Sequence, residues 1–430
     1  MDAKLQRFLQ WFTSNGGYLN PHVQVQTSEE QGIHVIAKDT VSALHDSSEP
    51  FPIVTCPLSL TLSYLNAASH PDVHQTPSPA ASQLLSTSDR TTVGAFLLME
   101  QKLAGEGSFW AAYIDCLPPV ERLTSPMLDG EREGMWLRGT NLDLFVESSA
   151  VGVRRRLWRE DWEGAVRVLG EKGVDTAPFT WDLYNWAMSI FSSRSITSRG
   201  VIRNEPDPLP LLFPMVDLLN HHPTARVDWH FDATGAMTIA AESPPKPGDQ
   251  VYNHFGPFPN EKLLLGYGFA LEDNPYDEVT VQLGGIRPGV HELLRASLPE
   301  RFPGPTLTPE SVRFSLIGSS HAVKGYKDSP LPCLRGVPPD LFAIMEAEVR
   351  YGRMQAGEGE EGVRMDALVG LFGMVERKLE GIRRWDGGVE GEREERGRYA
   401  RIYREGQVRI LEEVMGEIEA YLDAAWEGGS

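Results

Sequence analysis

One stretch of the chain, residues 213–277, combines rare residue types at close spacing and limits what the remaining segments can form. Asp217 is followed one helical turn later by Asn220 and His221, and a polar strand comes next. A Gly-Asp turn, an aromatic strand, a Gly-Pro break and a helical run then lead to a Gly-Tyr-Gly-Phe element that ends at Phe269. We therefore expect the functional site in this stretch, with the other segments supporting or covering it.

The bulk composition describes a globular protein with an acidic surface. A chain of 430 residues is too long for one ordinary core, so two or three domains are expected. Hydrophobic content of 41% and charged content of 23% are typical of folded domains. The net charge of −20 argues against a nucleic-acid binder, because neutralising phosphates requires clustered Lys and Arg. The charge permits a basic protein partner, or it serves solubility alone.

The cysteines and the N-terminus bear on the compartment. Cys56, Cys116 and Cys333 lie far apart and form no CxxC pair, so reduced thiols are expected. The N-terminus shows no apolar signal region, and no run approaches the roughly 20 apolar residues of a membrane span. We expect an intracellular protein of the cytoplasm, the nucleus or both, without membrane association.

The hydrophobic periodicity changes along the chain. Residues 3–13 predict an amphipathic helix, and 20–66 predict short strands with period 2. The segment 67–180 predicts a mainly helical insertion, and after residue 277 the pattern predicts amphipathic helices. The clearest of these has one apolar face, made of Leu368, Phe372, Val375, Leu379 and Ile382.

Taken alone, the Asn220-His221-His222 element allows several interpretations. A metal site with Asp217, completed by His230 or His254, is one of them, since His and Asp are good zinc or iron ligands. Adjacent histidines, however, cannot face one side of a helix as a HExxH pair does. A Ser/His/Asp hydrolase is less favoured because no GxSxG element is present. A capped helix end is the simplest interpretation.

Further motifs accompany this element in a characteristic order. They are Gly32-Ile33-His34-Val35-Ile36-Ala37, Ser108-Phe109-Trp110 with Leu117-Pro118, Leu137-Arg138-Gly139-Thr140, Arg194, Asp217 to His221, Gly248-Asp249-Gln250-Val251-Tyr252, and Asn260-Glu261 with Tyr267-Gly268-Phe269. In this order the sequence resembles the SET-domain protein lysine methyltransferases, and in particular the Rubisco large-subunit methyltransferase-like branch with its fungal relatives. The resemblance covers most of the chain.

The resemblance implies an α+β fold. Short β-sheets would surround a knot-like crossing and be interrupted by a helical insertion, and an all-helical C-terminal substrate-binding domain would follow. The expected boundaries are an N-terminal helix at 1–19, a SET domain at 20–277 with its insertion at about 67–180, and the C-terminal domain at 278–430. The resemblance also implies S-adenosylmethionine as the cofactor and a lysine of a non-histone protein as the acceptor.

The family's site roles transfer to matching positions. Cofactor-binding positions would be Gln31, Gly32, Ile33, Arg194, Asn220, His221 and Phe269. Tyr267 would border the methyl-transfer channel, with Phe255 and Tyr252 as further catalytic positions, and Asp217 would hold the site or the substrate. No metal is implied. Methyl transfer needs a neutral amine, a positioned cofactor and a channel that excludes water, and aromatic walls suit cationic groups.

Two positions depart from the family pattern. Relatives have a second Gly where this chain has His34, and a bulky side chain there would either crowd the cofactor or point away. Relatives usually carry Tyr where this chain has Phe255, directly before Gly256. Phe keeps the aromatic wall but has no hydroxyl to orient the amine, and loss of one preorganised contact costs on the order of 10²-fold in rate. Tyr252 or Tyr267 would have to supply a hydroxyl, or turnover is reduced.

The sequence therefore leaves three candidate functions open. The first is a lysine methyltransferase, and the apolar Ile196 two positions after Arg194 favours an aliphatic lysine stem over histidine as the acceptor. We expect it to act as a monomer on a basic protein segment, docked by the C-terminal helices. The second is a catalytically reduced SET protein that binds without turnover. The third is a metal hydrolase built on Asp217, His221 and His222.

Overall fold

The structure, a computed structural model, describes residues 2–29, 31–38, 50–198, 201, 208–302, 312–327, 331, 334–385 and 395–427. Cys333 lies outside the described residues, whereas Cys56 and Cys116 carry free thiols. The α-helices are α1 (Ala3–Ser14), α2 (Tyr64–Ala67), α3 (Arg90–Ala104), α4 (Ala111–Ile114), α5 (Glu131–Gly134), α6 (Ala150–Glu171), α7 (Trp181–Arg194), α8 (Asn260–Tyr267), α9 (Pro288–Ser297), α10 (Pro339–Ala356), α11 (Val363–Arg383) and α12 (Glu395–Glu427). The strands are β1 (Tyr18–Leu19), β2 (Val23–Ser28), β3 (Gly32–Ala37), β4 (Phe51–Cys56), β5 (Ile196–Ser198), β6 (Leu209–Leu211), β7 (Val227–Phe231), β8 (Met237–Ala241), β9 (Gln250–Val251), β10 (Glu278–Gln282) and β11 (Arg313–Ile317).

The chain divides into two compact units. The first comprises Met1–Leu128 with Val153–Pro257, and the second comprises Asp129–Gly152 with Phe258–Ser430. None of the helices in the described part of the chain is long and apolar enough to cross a membrane.

The first unit is built on small antiparallel sheets. One has the strand order β1-β4-β8-β7, another the order β2-β3-β9, and β5 pairs with β6. In the β2–β3 pair, Val23 lies opposite Ala37 and Val25 opposite Val35, and all four side chains are buried. The alternation of apolar and polar residues in β2 therefore places one face of the pair in the core, as the period-2 pattern predicted.

Several helices of the first unit lie between β4 and β5 in the sequence. Asp89 caps α3, since its carboxylate accepts hydrogen bonds from the backbone N–H groups of Thr91 and Thr92 at 2.8 and 3.1 Å. Helix α3 packs against α7, where the ring of Phe191 lies over Gly94. A Cβ at Gly94 would stand 2.8 Å from that ring, so the close approach of the two helices requires glycine.

The second unit combines helices with one pair of strands. Strands β10 and β11 are antiparallel, with Val279 opposite Leu316 and Val281 opposite Phe314. The expectation of an all-helical segment after residue 277 is corrected by this pair, because four apolar side chains facing one side favour strands over helix here. The α+β class itself is confirmed.

The core of the second unit lies among α10, α11 and α12. Leu368, Val375, Leu379 and Ile382 of α11 are buried, and Phe372 is partly buried against them. The apolar face predicted for this helix is confirmed. Helix α12 contributes Leu411, Val414 and Ile418 to the same core.

Candidate functional site

The site of the first unit is organised by a crossing of two chain segments. The residues after β6 form a short 3₁₀ helix, Val216–Leu218, and then run beside the residues that follow β9. Asn253 donates its N–H to the carbonyl of Asn220 at 2.7 Å, and His222 donates to the carbonyl of Asn253 at 3.0 Å. His221 and Asn253 thus form an isolated parallel bridge. This bridge joins the two motifs that the sequence singled out.

The first motif, at the start of β3, reaches the same crossing. The side-chain amide of Asn220 donates to the carbonyl of Gln31 at 3.2 Å. Gly32 is exposed with φ of +61°, and no atom lies within 4 Å of the place where a Cβ would stand. Ile33 is half-buried. The backbone of this motif is therefore open at Gly32 and tied to the crossing at Gln31.

His34, one of the two departures from the family pattern, turns into the protein. Its ring is buried, and its Nδ1 lies 3.1 Å from the carbonyl oxygen of Gly32. The preceding residue, Ile33, points to the opposite face of β3 and is half-buried. The His34 side chain therefore points into the core, which agrees with the second of the two alternatives given for it above.

His221 is held in a defined tautomer. Its Nδ1 accepts the backbone N–H of Phe255 at 3.0 Å, so the neutral ring carries its proton on Nε2. The rings of His221 and Phe255 stack at 5.0 Å with 22° between their planes. Burial lowers the pKa of His221 to about 4, and neighbouring His254 and His222 lower it further in the same direction. The imidazole is consequently neutral near neutral pH.

Asp217 lies three residues before this crossing and is held at two points. The hydroxyl of Tyr113 donates to its Oδ2, and Nη1 of Arg194 donates to its backbone carbonyl at 2.8 Å. Burial raises the pKa of Asp217 to about 6, although Arg194 and the Tyr113 hydrogen bond oppose that rise. Within the described part of the chain, Nε of Arg194 and Oδ1 of Asp217 are buried without a hydrogen-bond partner.

Tyr252 and its neighbour Asn253 line the other strand of the crossing. The half-buried ring of Tyr252 lies 5.1 Å from the ring of His222. Asn253 is buried, and its Oδ1 accepts from the indole Nε1 of Trp229 and from the N–H of His254, both at 2.8 Å. Asn253 was not among the predicted site residues. The signal in the sequence that could have found it is an Asn inside the aromatic run 251–255.

Ile196, the predicted acceptor-side residue, lies at the start of β5. It is buried and paired with Leu211 of β6. Ile196 follows two residues after Arg194, the last residue of α7, and its role beside the acceptor stays a prediction.

Tyr267 and Phe269 belong to the second unit. Helix α8 ends at Tyr267, and Gly268 follows in the left-handed conformation with φ of +85°. The Tyr267 ring lies 6.1 Å from the ring of Phe258 and 6.3 Å from that of Phe269. Burial raises the pKa of Tyr267, so its hydroxyl is protonated near neutral pH.

The Asn-Glu motif at the start of α8 is structural. Asn260 is buried and donates to the carbonyl of Leu271 at 2.8 Å and to Asp277 at 3.1 Å, while its Oδ1 accepts the N–H of Leu271 at 2.9 Å. Glu261, also buried, accepts from Asn141 at 2.8 Å and from Arg313 at 3.1 Å. Asn260 thus secures the segment after α8, and Glu261 ties α8 to Asn141 and to Arg313 of β11.

Metal ligands do not gather at the crossing as the hydrolase interpretation required. Within the described ranges, no group of three or more His, Cys, Asp or Glu side chains is placed to hold a metal ion.

Comparison with known proteins places this geometry in context. No family model matches the chain. The chain is 26% identical over 383 residues to ribosomal lysine N-methyltransferase set10 of Schizosaccharomyces pombe, covering 86% of this chain and 64% of that protein. It is 24% identical over 313 residues to protein-lysine N-methyltransferase EFM1 of Saccharomyces cerevisiae, covering 64% of this chain and 51% of that protein. The chain thus spans less than two thirds of the length of these relatives.

Solved structures of Rubisco LSMT share the fold over almost the whole chain. The complex with sinefungin and monomethyllysine matches with a TM-score of 0.70 and 17% identity, covering 98% of this chain and 92% of that one. The complex with AdoMet matches with a TM-score of 0.66, 18% identity and coverage of 98% and 93%. The chain has the SET-domain fold of Rubisco LSMT. The resemblance to SET-domain lysine methyltransferases of that branch, first seen in the motifs, is confirmed.

Proposed function

We propose that the protein is an S-adenosylmethionine-dependent protein-lysine N-methyltransferase that acts on a non-histone protein. The observation that carries the proposal is the crossing itself. The His221–Asn253 bridge and the Asn220–Gln31 hydrogen bond join two segments that the resemblance implies as cofactor positions to the segment that carries Tyr252 and Phe255. The relatives' names and the ligands of the Rubisco LSMT structures support the same reaction.

The residues at the crossing fit the proposed cofactor. Open space beside Gly32 leaves room for a ligand against the backbone. The buried Nε of Arg194 and Oδ1 of Asp217 lack a hydrogen-bond partner in the described part of the chain, as groups beside a polar ligand often do. By resemblance, Gln31, Gly32 and Ile33 hold the methionine part through the backbone. Arg194, Asn220, His221 and Phe269 are the remaining cofactor positions.

The charges near the crossing suit a cationic ligand. When bound, S-adenosylmethionine supplies an electrophilic methyl group on a positively charged sulfonium. His221 is neutral because its pKa is about 4, so it adds no repulsive positive charge. Asp217 is ionised above its pKa of about 6 and contributes a negative charge to the same region.

The aromatic residues supply the walls. Phe255, stacked on His221, offers a π-face that attracts a cationic methylammonium without hydrogen-bonding to it. Tyr252 and Tyr267 carry hydroxyls and are proposed as the groups that orient the amine. The protein's contribution is to position the reactants and to exclude water, since methyl transfer is an in-line displacement that needs no acid or base on the carbon.

The acceptor is proposed to be a lysine in a basic segment. The buried, apolar Ile196 favours the aliphatic lysine stem, and the net charge of −20 favours a basic partner. Ribosomal proteins are one such class, and the relative set10 is named for ribosomal lysine methylation. We expect a monomer of the cytoplasm or nucleus, with residues 20–277 as the SET domain and 278–430 as the substrate-binding domain.

A labelled-methyl assay tests the proposal. The full chain is incubated with S-adenosylmethionine carrying a labelled methyl group and with cell extract whose proteins are unmethylated. A labelled protein band is expected, and mass spectrometry of that band should find methyllysine. Label only on histidine, or on no protein while cofactor binding is intact, would reject lysine methylation.

A second candidate is a catalytically reduced SET protein that binds cofactor or partner without turnover. Phe255 favours it, because its stacked ring keeps the wall and leaves no hydroxyl at the position before Gly256. Cofactor binding without any transfer in the labelled-methyl assay would support this candidate.

A further inference from the structure

Tyr113, from the helical region between β4 and β5, reaches the residue that precedes the crossing. It lies in the short helix α4, its side chain is fully buried, and its ring packs 6.0 Å from that of Phe8. Its hydroxyl donates to Oδ2 of Asp217. Burial raises the pKa of Tyr113 well above its ordinary value, so this hydroxyl is protonated near neutral pH and donates to the ionised Asp217 carboxylate.

Arg194 makes the second contact with the same residue. Its Nη1 donates to the backbone carbonyl of Asp217 at 2.8 Å from the last turn of α7. Two helices that are far apart in sequence therefore hold one residue by its carboxylate and by its main chain. Together these contacts restrict both the side-chain and the backbone orientation of Asp217.

The segment that carries Asp217 needs such restraint. Met215 has a positive φ of 74°, an unfavourable conformation for a residue with a side chain, and it is fully buried. The chain passes from Met215 through Asp217 to Asn220 within six residues of sequence. A strained backbone of this kind persists only where its surroundings over-determine it, and Tyr113 and Arg194 supply two of those surroundings.

We propose that Tyr113 is a positioning residue that holds Asp217, and through it Asn220 and His221, in the geometry that binds the cofactor. The inference rests on the proposed function. It assigns to the helical insertion a direct part in forming the cofactor site.

The pH dependence of binding gives a readout that a merely structural role would not move. The charged and titratable groups facing the Asp217 carboxylate are Tyr113, Arg194 and Cys56, and burial raises the pKa of the Cys56 thiol so that it stays neutral. The Tyr113 hydrogen bond lowers the pKa of Asp217. Removing it raises that pKa, so protonation of Asp217 sets in at higher pH. The acid limb of the binding profile is the pH range in which cofactor binding weakens on acidification. This limb should move to higher pH together with the pKa of Asp217.

The test compares Tyr113→Phe with Tyr184→Phe in the full chain. Tyr184 is also fully buried in the first unit, and its hydroxyl lies 3.3 Å from that of Thr92, away from Asp217. Calorimetric titration of S-adenosylmethionine is carried out over a pH series. We expect about tenfold weaker binding for Tyr113→Phe, as for loss of a hydrogen bond to a charged group, with its acid limb shifted upward. Tyr184→Phe should match the wild type in both measurements.

The possible outcomes separate a failure of the positioning role of Tyr113 from a failure of the proposed function. Equal affinity and an unchanged pH profile for Tyr113→Phe would overturn the positioning role and leave the proposed function standing. Absence of binding by the wild type would overturn both. If Tyr113→Phe does not fold, Asp217→Asn serves instead, because the amide still accepts from Tyr113 but does not titrate. Its binding should lose the part of the acid limb near pH 6, where Asp217 titrates, and a limb retained at that pH would reject the inference.

Discussion

Replacing His221 with Asn should remove most of the acid sensitivity that this ring contributes to folding. Asn keeps an oxygen near the place of Nδ1, so it can still accept the N–H of Phe255, but it does not titrate. The folded protein disfavours the imidazolium, since burial lowers the pKa of His221 from 6.5 to about 4. At about 1.4 kcal/mol per pKa unit, this corresponds to at most about 3–4 kcal/mol of unfolding free energy.

The sign follows from proton binding. Between the two pKa values the unfolded chain binds more protons at His221 than the folded protein does, so stability falls as the pH is lowered. The contribution is fully present above the unfolded pKa and is lost progressively below it. From about pH 7 to about pH 5, the loss from this residue is about 2 kcal/mol. Asp217 acts in the opposite direction, because its pKa is raised and the folded protein binds its proton more tightly.

The measurement is urea unfolding of wild type and His221→Asn at both pH values. Opposing contributions such as that of Asp217 are common to both proteins and cancel in the comparison. The wild type should lose about 2 kcal/mol more than the variant between the two pH values. An NMR titration of His221 in the wild type gives the folded pKa directly. Equal pH dependence in the two proteins, or a folded pKa near 6.5, would refute the argument.

Two further substitutions address the rate of transfer and the stability of the second unit. Phe255→Tyr restores a hydroxyl beside His221 and should raise kcat on the order of 10²-fold with little change in cofactor affinity, measured by labelled-methyl transfer; unchanged turnover would show that this position does not limit the rate. Asn260→Ala removes the side-chain partner of the Leu271 carbonyl, of the Leu271 N–H and of Asp277 Oδ2, and should cost about 2–4 kcal/mol in urea unfolding. Replacing the nearby exposed Glu272 with Ala is the control, and a similar small effect for both would contradict the structural role of Asn260.

Local patterns in the sequence predicted much of the fold. The period-2 alternation of β2 and the apolar face of α11 are determined by neighbouring residues, so both were predictable. The strand pair β10–β11 was not, because each strand has only five residues and a long segment separates them. Pairing of distant short strands depends on tertiary packing that no local periodicity records.

The candidate site, like the fold, was predictable from the sequence only in part. Asn220 and His221 stood out because two rare residues are adjacent, and the structure places them at the crossing. The contact of Tyr113 with Asp217 spans 104 positions in sequence. A buried phenol in an apolar helix looks like any core aromatic until its partner is known. The sequence therefore pointed to the residues that touch the proposed ligand more readily than to those that hold them in place.

Calorimetric titration of S-adenosylmethionine into the wild type and Asn220→Ala tests the central claim, that the crossing is a cofactor site. The amide of Asn220 ties the crossing to the carbonyl of Gln31, so its removal should loosen the site without emptying the core. The wild type should saturate at one cofactor per chain, and Asn220→Ala should bind about tenfold more weakly or worse. No binding by the wild type at millimolar cofactor, or equal affinity of the two proteins, would contradict the account.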